Sequence, residues 1–268
     1  MKLHVFAPLA LAALTALPVS AQGWVDDVVQ IDVLDGGTTA TGTHRAAIRL
    51  TLEPGWKTYW RAPGDAGIPP QFSWRGSRNL EATQMSWPTP EVFDQNGMRS
   101  VGYETELVLP IDITPRRAGQ PVRLKGKMEI GVCREVCIPS TLIFDRMLDP
   151  ASPRHPAILA ARSDRPYSAV EAGVTSAKCV ISPTSDGLRI EAHIRMPHAG
   201  GTEYTVTETG DPQIWVSETE TTRQGGTLIA VSELMHAKAG SFALDRSALR
   251  FTVLGQTRAV DIRGCSSD

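Results

Sequence analysis

Aromatic side chains are scarce in this chain, at 6% of 268 residues, and cysteines number only four. No block of like charge occurs, and 27 Lys+Arg stand against 29 Asp+Glu. That balance argues against nucleic acid as a partner and against a polybasic membrane patch. Beyond Leu17 no stretch is apolar enough to span a bilayer, so the mature chain is not expected to insert into a membrane. No Gly-rich turn leads into a helix, which removes the usual phosphate cradle. No Ser-His-Asp or carboxylate constellation stands out, and Asp65, Glu104 and Asp112 read as loop or surface charges. His44, His155, His193, His198 and His236 are scattered without ligand spacing. Neither a metal site nor a cofactor is expected.

What is present begins with a leader. Lys2 and His4 precede an apolar run from Val5 to Leu17, and Pro18-Val19-Ser20-Ala21 supplies the small residues read by a signal peptidase. Residues 1–21 are therefore expected to be a cleaved signal peptide, and the protein to be exported, most simply to a bacterial periplasm where disulfides persist. About 247 residues remain, enough for one large or two ordinary domains.

Those residues read as all-β. Short β-branched or alternating runs such as 28–34, 44–52, 56–60 and 106–113 are separated by Asp-Gly-Gly, Glu-Pro-Gly and similar turn signals. Between 149 and 173 the pattern changes. Pro150, Pro153 and Pro156 open it, and Ala157-Ile158-Leu159-Ala160-Ala161-Arg162 has helical composition. From 174 onward short strands return. The expected architecture is two immunoglobulin-like β-sandwiches, residues 22–148 and 174–268, joined by a linker (149–173) carrying a short helix. Cys179 opens the second half and Cys265 closes it. A bond between them would close a loop of ~85 residues, worth up to about 4–5 kcal/mol in the chain-entropy model, and reads as structural.

Cys133 and Cys137 sit in Gly131-Val132-Cys133-Arg134-Glu135-Val136-Cys137-Ile138-Pro139, between two strand-like runs. A hairpin with a three-residue loop sets them opposite each other, roughly 4.5 Å apart at a non-hydrogen-bonded pair. Their bond would close too short a loop to add much stability. The charged Arg134 and Glu135 put the hairpin tip in solvent, and Arg134 would favour a neighbouring thiolate. The residues alone leave two readings open: a second structural disulfide, or an exposed pair that exchanges with other thiols. The spacing is not the C-x-x-C of a thioredoxin helix.

Further motifs narrow this. Gly55-Trp56-Lys57-Thr58-Tyr59-Trp60-Arg61-Ala62-Pro63-Gly64-Asp65-Ala66-Gly67-Ile68-Pro69-Pro70, then Trp87-Pro88-Thr89-Pro90, Gly102-Tyr103-Glu104, Leu109-Pro110-Ile111 and the cysteine hairpin follow one another in order. This series resembles the amino-terminal periplasmic domain of the DsbD/ScsB family of thiol:disulfide interchange proteins. It is closest to the ScsB-like branch and strongest over residues 24–148. The resemblance implies an immunoglobulin-like redox domain in which Cys133 and Cys137 are a reversible pair, with Cys137 favoured as the sulfur that forms mixed disulfides. It implies thioredoxin-like periplasmic partners. It also implies a cap over the cysteines from 93–103, which reads as a loop, with Phe93, Met98 and Tyr103 as cap or partner contacts. The chain ends at Asp268 without membrane segments or a C-x-x-C domain. Electrons are therefore expected from a separate membrane donor of the DsbD/CcdA type. The alternative is a non-enzymatic copper-binding or envelope-assembly module, with Cys133, Cys137 and Met98 as soft ligands or with both disulfides structural. The branch's association with copper tolerance favours that alternative only slightly. Trp56, Tyr59 and Trp60 read as packing rather than as a sugar platform.

Overall fold

The computed structural model describes residues 28–64, 67–95, 97–238 and 242–267. The expected leader at 1–21 lies outside them, as do Asp65, Ala66 and Asn96 of the segments quoted above. Among the described residues the chain forms four sheets and one helix, arranged as two sandwich-like units.

The first unit contains β1 (Val29–Thr38), β2 (His44–Leu52), β3 (Lys57–Tyr59), β4 (Gln71–Ser73), β5 (Leu80–Met85), β6 (Glu91–Gln95), β7 (Met98–Glu104), β8 (Glu106–Pro115), β9 (Val122–Cys133) and β10 (Cys137–Leu148). One sheet has the order β1-β2-β8-β5, and the facing sheet β10-β9-β3-β7-β6, with β4 also on β9. Period-2 alternation drives the packing. On β10, Ser140, Leu142 and Phe144 are buried while Thr141, Ile143 and Asp145 face water. Ile48, Leu50, Leu107, Leu109, Leu124, Met128 and Trp60 fill the space between the sheets.

Two expectations need revision here. The Asp35-Gly36-Gly37 signal does not end the first strand. β1 runs on to Thr38 through a register shift, with Gly37 at φ 66°, so the glycine serves a bulge rather than a turn. The segment 93–103 is not a loop either. β6 and β7 form a hairpin in which Gln95 faces Met98 and Phe93 faces Ser100.

Helix α1 (Pro156–Ser163) starts with proline at its first turn, and His155 Nδ1 accepts from the Ala157 N–H. Its Ile158 is buried against Leu34, Ala47 and Val108, the outer face of the β1-β2-β8 sheet. Arg162 donates to Asp112 at 2.8 Å. The helix therefore packs on the first unit.

The second unit contains β11 (Tyr167–Ser168), β12 (Ser176–Pro183), β13 (Leu188–Arg195), β14 (Tyr204–Glu208), β15 (Ile214–Val216), β16 (Glu220–Gln224), β17 (Thr227–His236), β18 (Arg250–Leu254), β19 (Ala259–Arg263) and β20 (Ser266–Ser267). Its sheets run β11-β19-β18-β14 and β15-β17-β13-β12-β20, with β16 on β17. β11 falls inside the segment read as linker. Cys179 and Cys265 are bonded, with Cα atoms 5.8 Å apart. Arg246 donates to the Cys179 carbonyl at 2.6 Å and accepts from the Cys265 N–H at its own carbonyl.

The two units meet along β14 and β18. Arg61, just past β3, makes a bidentate pair with Glu208 at 3.0 and 2.8 Å and donates to Thr252 at 3.2 Å. Its guanidinium stacks on Trp60 at 3.7 Å. Tyr204, Val206, Leu254 and Ala259 join the first unit's core cluster, so the interface is apolar around this pair.

Candidate functional site

β9 and β10 are in register with Cys133 directly opposite Cys137, and a disulfide joins them with a Cα separation of 4.1 Å. Arg134, Glu135 and Val136 form the exposed loop, and the Arg134 N–H donates to the Val136 carbonyl. The two cysteines are not equally exposed. Cys133 is 1% exposed, whereas Cys137 lies on the exposed side of the hairpin. The Arg134 guanidinium stacks 5.4 Å from the Trp56 ring.

Tyr59 covers the bond. Its hydroxyl is 3.0 Å from Cys133 Sγ and 3.1 Å from Cys137 Sγ. Disulfide sulfurs carry no proton, so the hydroxyl is the donor, shared between the two. Burial pushes the Tyr59 phenol above its ordinary value, which keeps that proton in place at neutral pH. The ring is held by glycines on both sides. A Cβ at Gly131 would lie 3.1 Å from the ring and 2.9 Å from Ile68. One at Gly67 would lie 3.0 Å from the ring and 2.3 Å from Pro63. Below the ring, Thr58 donates to the Gly131 carbonyl at 3.0 Å and locks β3 to β9. The Gly and Pro residues of the long motif thus build a slot for one aromatic ring.

Lys57 is the third group here. It is the register partner of Cys133 on one side and of Glu104 on the other, and it is only 3% exposed. Its Nζ lies 3.5 Å from Ser100 Oγ and 4.8 Å from the centre of the Phe93 ring. Burial pushes the ammonium below the ordinary lysine value, and Glu104 partly offsets this.

The remaining expected residues separate. Phe93 lies over the Lys57 ammonium, and Met98 is 59% exposed at the end of the same hairpin. Tyr103 points the other way. Its ring is buried in the core, stacked on Trp87, and its hydroxyl donates to the Pro88 carbonyl at 2.9 Å. Among the described residues no group of three or more His, Cys, Asp or Glu converges as a metal cage. His44 bonds Asp35 and His193 bonds Glu191. Tyr59 and Lys57 were not singled out as site residues from the sequence. The signal was their period-2 spacing on a strand that precedes a Gly/Pro-rich loop.

Known proteins can now be set beside this geometry. The family model for the amino-terminal domain of the thiol:disulfide interchange protein DsbD matches residues 27–147. Residues 27–147 are a DsbD/ScsB-like amino-terminal domain. The crystal structure of the amino-terminal periplasmic domain of ScsB from Proteus mirabilis is similar at a TM-score of 0.66 and 20% identity, over 95% of this chain and 97% of that one. The shared fold therefore extends from the DsbD-like domain through the second sandwich. The reduced amino-terminal domain of DsbD from Neisseria meningitidis is matched at a TM-score of 0.27 and 19% identity, over 46% of this chain and 88% of that one. No curated protein matches the sequence. Among the described residues no helix is long and apolar enough to cross a membrane.

Proposed function

We propose that this chain is a periplasmic thiol–disulfide exchange protein, exported by a signal peptide at 1–21, whose DsbD-like domain (22–148) carries electrons through Cys133 and Cys137. Residues 149–173 would be the linker and 174–268 the second domain. The observation that supports the reading is the asymmetry of the bond: one exposed cysteine, one buried cysteine, and a hydroxyl donor poised on both sulfurs.

The chemistry follows from that asymmetry. A thiolate of a dithiol donor attacks Cys137 Sγ, the sulfur in reach of solvent. A donor–Cys137 bond forms, the Cys133–Cys137 bond breaks, and its electron pair leaves on Cys133 as a thiolate, met by the Tyr59 hydroxyl. The donor's second thiolate attacks the donor sulfur of the mixed disulfide. Cys137 leaves as a thiolate, both cysteines are reduced, and the donor is oxidised. In the outward direction the Cys137 thiolate attacks a client disulfide, and Cys133 then attacks Cys137 Sγ and releases the client as a dithiol. The donor is a separate membrane protein of the DsbD/CcdA type, and the clients are thioredoxin-like. The β6–β7 hairpin, with Phe93 and Met98, acts as a cap that shields the site and shifts when a partner docks.

Trapping tests this reading. Cys133→Ala leaves the reactive Cys137 without its resolving thiol, so mixed disulfides with thioredoxin-like envelope proteins should accumulate. Cys137→Ala should trap far less. Equal trapping by both variants, or none by either while the wild-type bond resists reduction by a thioredoxin-like dithiol, would overturn the assignment.

A further inference from the structure

A buried lysine at the start of a short central strand is out of place on hydrophobic grounds. β3 lies between β9 and β7, and Lys57, Thr58 and Tyr59 are all buried. A buried ammonium is costly unless a counter-charge or several acceptors meet it. Lys57 has neither. Its contacts are one long approach to Ser100 Oγ and the face of Phe93, and among the described residues no carboxylate is within ion-pair distance. Glu104 acts on it only at longer range.

The missing anion is one that the exchange reaction creates. Lys57 and Cys133 are register partners on adjacent antiparallel strands, so their side chains leave the sheet on the same face, as does that of Tyr59, two residues along β3. Both are withdrawn from water. Each time the disulfide opens in the proposed exchange, negative charge arrives on Cys133. We infer that Lys57 is the counter-charge for the Cys133 thiolate, making Cys133 the good leaving group when partners attack Cys137. This rests on the exchange reading and assigns a residue to it.

The other polar groups around Cys133 do not duplicate this role. From β3, Tyr59 offers a neutral hydroxyl. From β7, Glu104 bears the wrong sign. From β10, Cys137 is the partner sulfur. In the loop, Arg134 stacks on Trp56, and Glu135 is exposed and negative. Lys57 is the cationic residue whose strand position is directly opposite Cys133.

The test uses the full mature chain carrying Cys137→Ala, in which Cys133 is the single thiol and the Cys179–Cys265 bond stays silent. The ultraviolet absorbance of the thiolate is followed against pH with and without Lys57→Met, an uncharged side chain of similar shape. The Met variant should raise the titration midpoint and cut the thiolate fraction at neutral pH about ten-fold, as expected for losing one partly desolvated unit charge. Lys57→Arg should keep the wild-type midpoint. In the two-cysteine protein, Lys57→Met should shift the equilibrium with glutathione towards the disulfide, because only the reduced form is weakened. If the Met variant fails to fold, Lys57→Gln must show the same two shifts. An unmoved midpoint together with an unmoved glutathione equilibrium overturns the inference. Both readouts need only glutathione and protons. A protein that passes them yet ignores thioredoxin-like partners would sink the exchange reading and leave Lys57 assigned.

Discussion

The chain contains two disulfides built to opposite specifications. Cys133 and Cys137 are 4 residues apart, at the neck of a hairpin whose tip is in water. Cys179 and Cys265 are 86 apart and tie β12 to the end of the chain, with Cys179 1% exposed. In the chain-entropy model the short loop is worth about 2 kcal/mol and the long one about 4–5. The first bond has a hydroxyl on its sulfurs and a lysine opposite its buried end. The second lies in the second unit's core, with Cys179 in the same buried cluster as Ile190, Leu249 and Phe251 and Cys265 packed against that cluster. The same covalent bond is suited to stabilise where its loop is long, and in the proposed exchange it is suited to react where its loop is short and one cysteine is exposed.

The comparison is broken most directly by removing each bond. Replacing Cys179 and Cys265 by serine should cost about 4–5 kcal/mol in urea unfolding, and replacing Cys133 and Cys137 by alanine about 2 kcal/mol. Equal losses would erase the distinction. Next in size is Gly131→Ala. The new methyl would meet Ile68 and Tyr59 at 2.9 and 3.1 Å, so the slot must shift, at about 1–3 kcal/mol. Its thiol reactivity should change at Cys133–Cys137 and stay unchanged at Cys179–Cys265, as read by mass mapping after partial reduction. Tyr59→Phe removes the hydroxyl that would receive the leaving thiolate in the proposed exchange. Reduction by a small dithiol should slow about ten-fold, the loss of one hydrogen bond to a charged group, with stability little altered.

How much of this is legible in the sequence differs between the two bonds. The register of Cys133 and Cys137 is local, since three residues separate them and strand-like runs flank them. The second pairing follows because the remaining cysteines open and close the second half. The cap segment 93–103 is less legible. Its loop-like composition hides a hairpin, because Val92 and Val101 gain their partners only when β6 and β7 pair. Tyr103 shares the segment but faces the core, and only the register with Thr58 reveals which side of the sheet it takes.

The smallest expected effect lies at the interface. Burial would raise the Asp261 carboxyl, but Arg250, bonded to it at 2.5 and 2.9 Å, holds it below the usual carboxylate value, with Arg61 adding to the effect. Stability from this pair is therefore present above the ordinary carboxylate pKa and is lost as pH falls through the lower folded value. Asp261→Asn should flatten the acid limb of a stability-against-pH curve while leaving Cys133–Cys137 reduction at neutral pH unchanged. A change in that reduction would mean that the interface and the redox hairpin are coupled.

From sequence alone come the all-β class, two sandwich-like units, both cysteine pairings and the likeness of the first unit to DsbD and ScsB domains. Apart from the Cys179–Cys265 pairing, which follows because these are the remaining two cysteines, each depends on residues near one another in the chain: period-2 alternation, turn signals, a three-residue loop and ordered short motifs. Only the tertiary structure places Tyr59 over sulfurs 74 and 78 residues away, Lys57 opposite the buried cysteine, and Arg61 against Glu208 across 147 residues. The physical reason is sheet order. β3 is neither beside its sequence neighbours β2 and β4 nor at an edge, but between β9 and β7. No local pattern encodes that insertion. It is set by which strands bury the most apolar surface together, and the chemistry of the hairpin is decided by what that insertion brings alongside it.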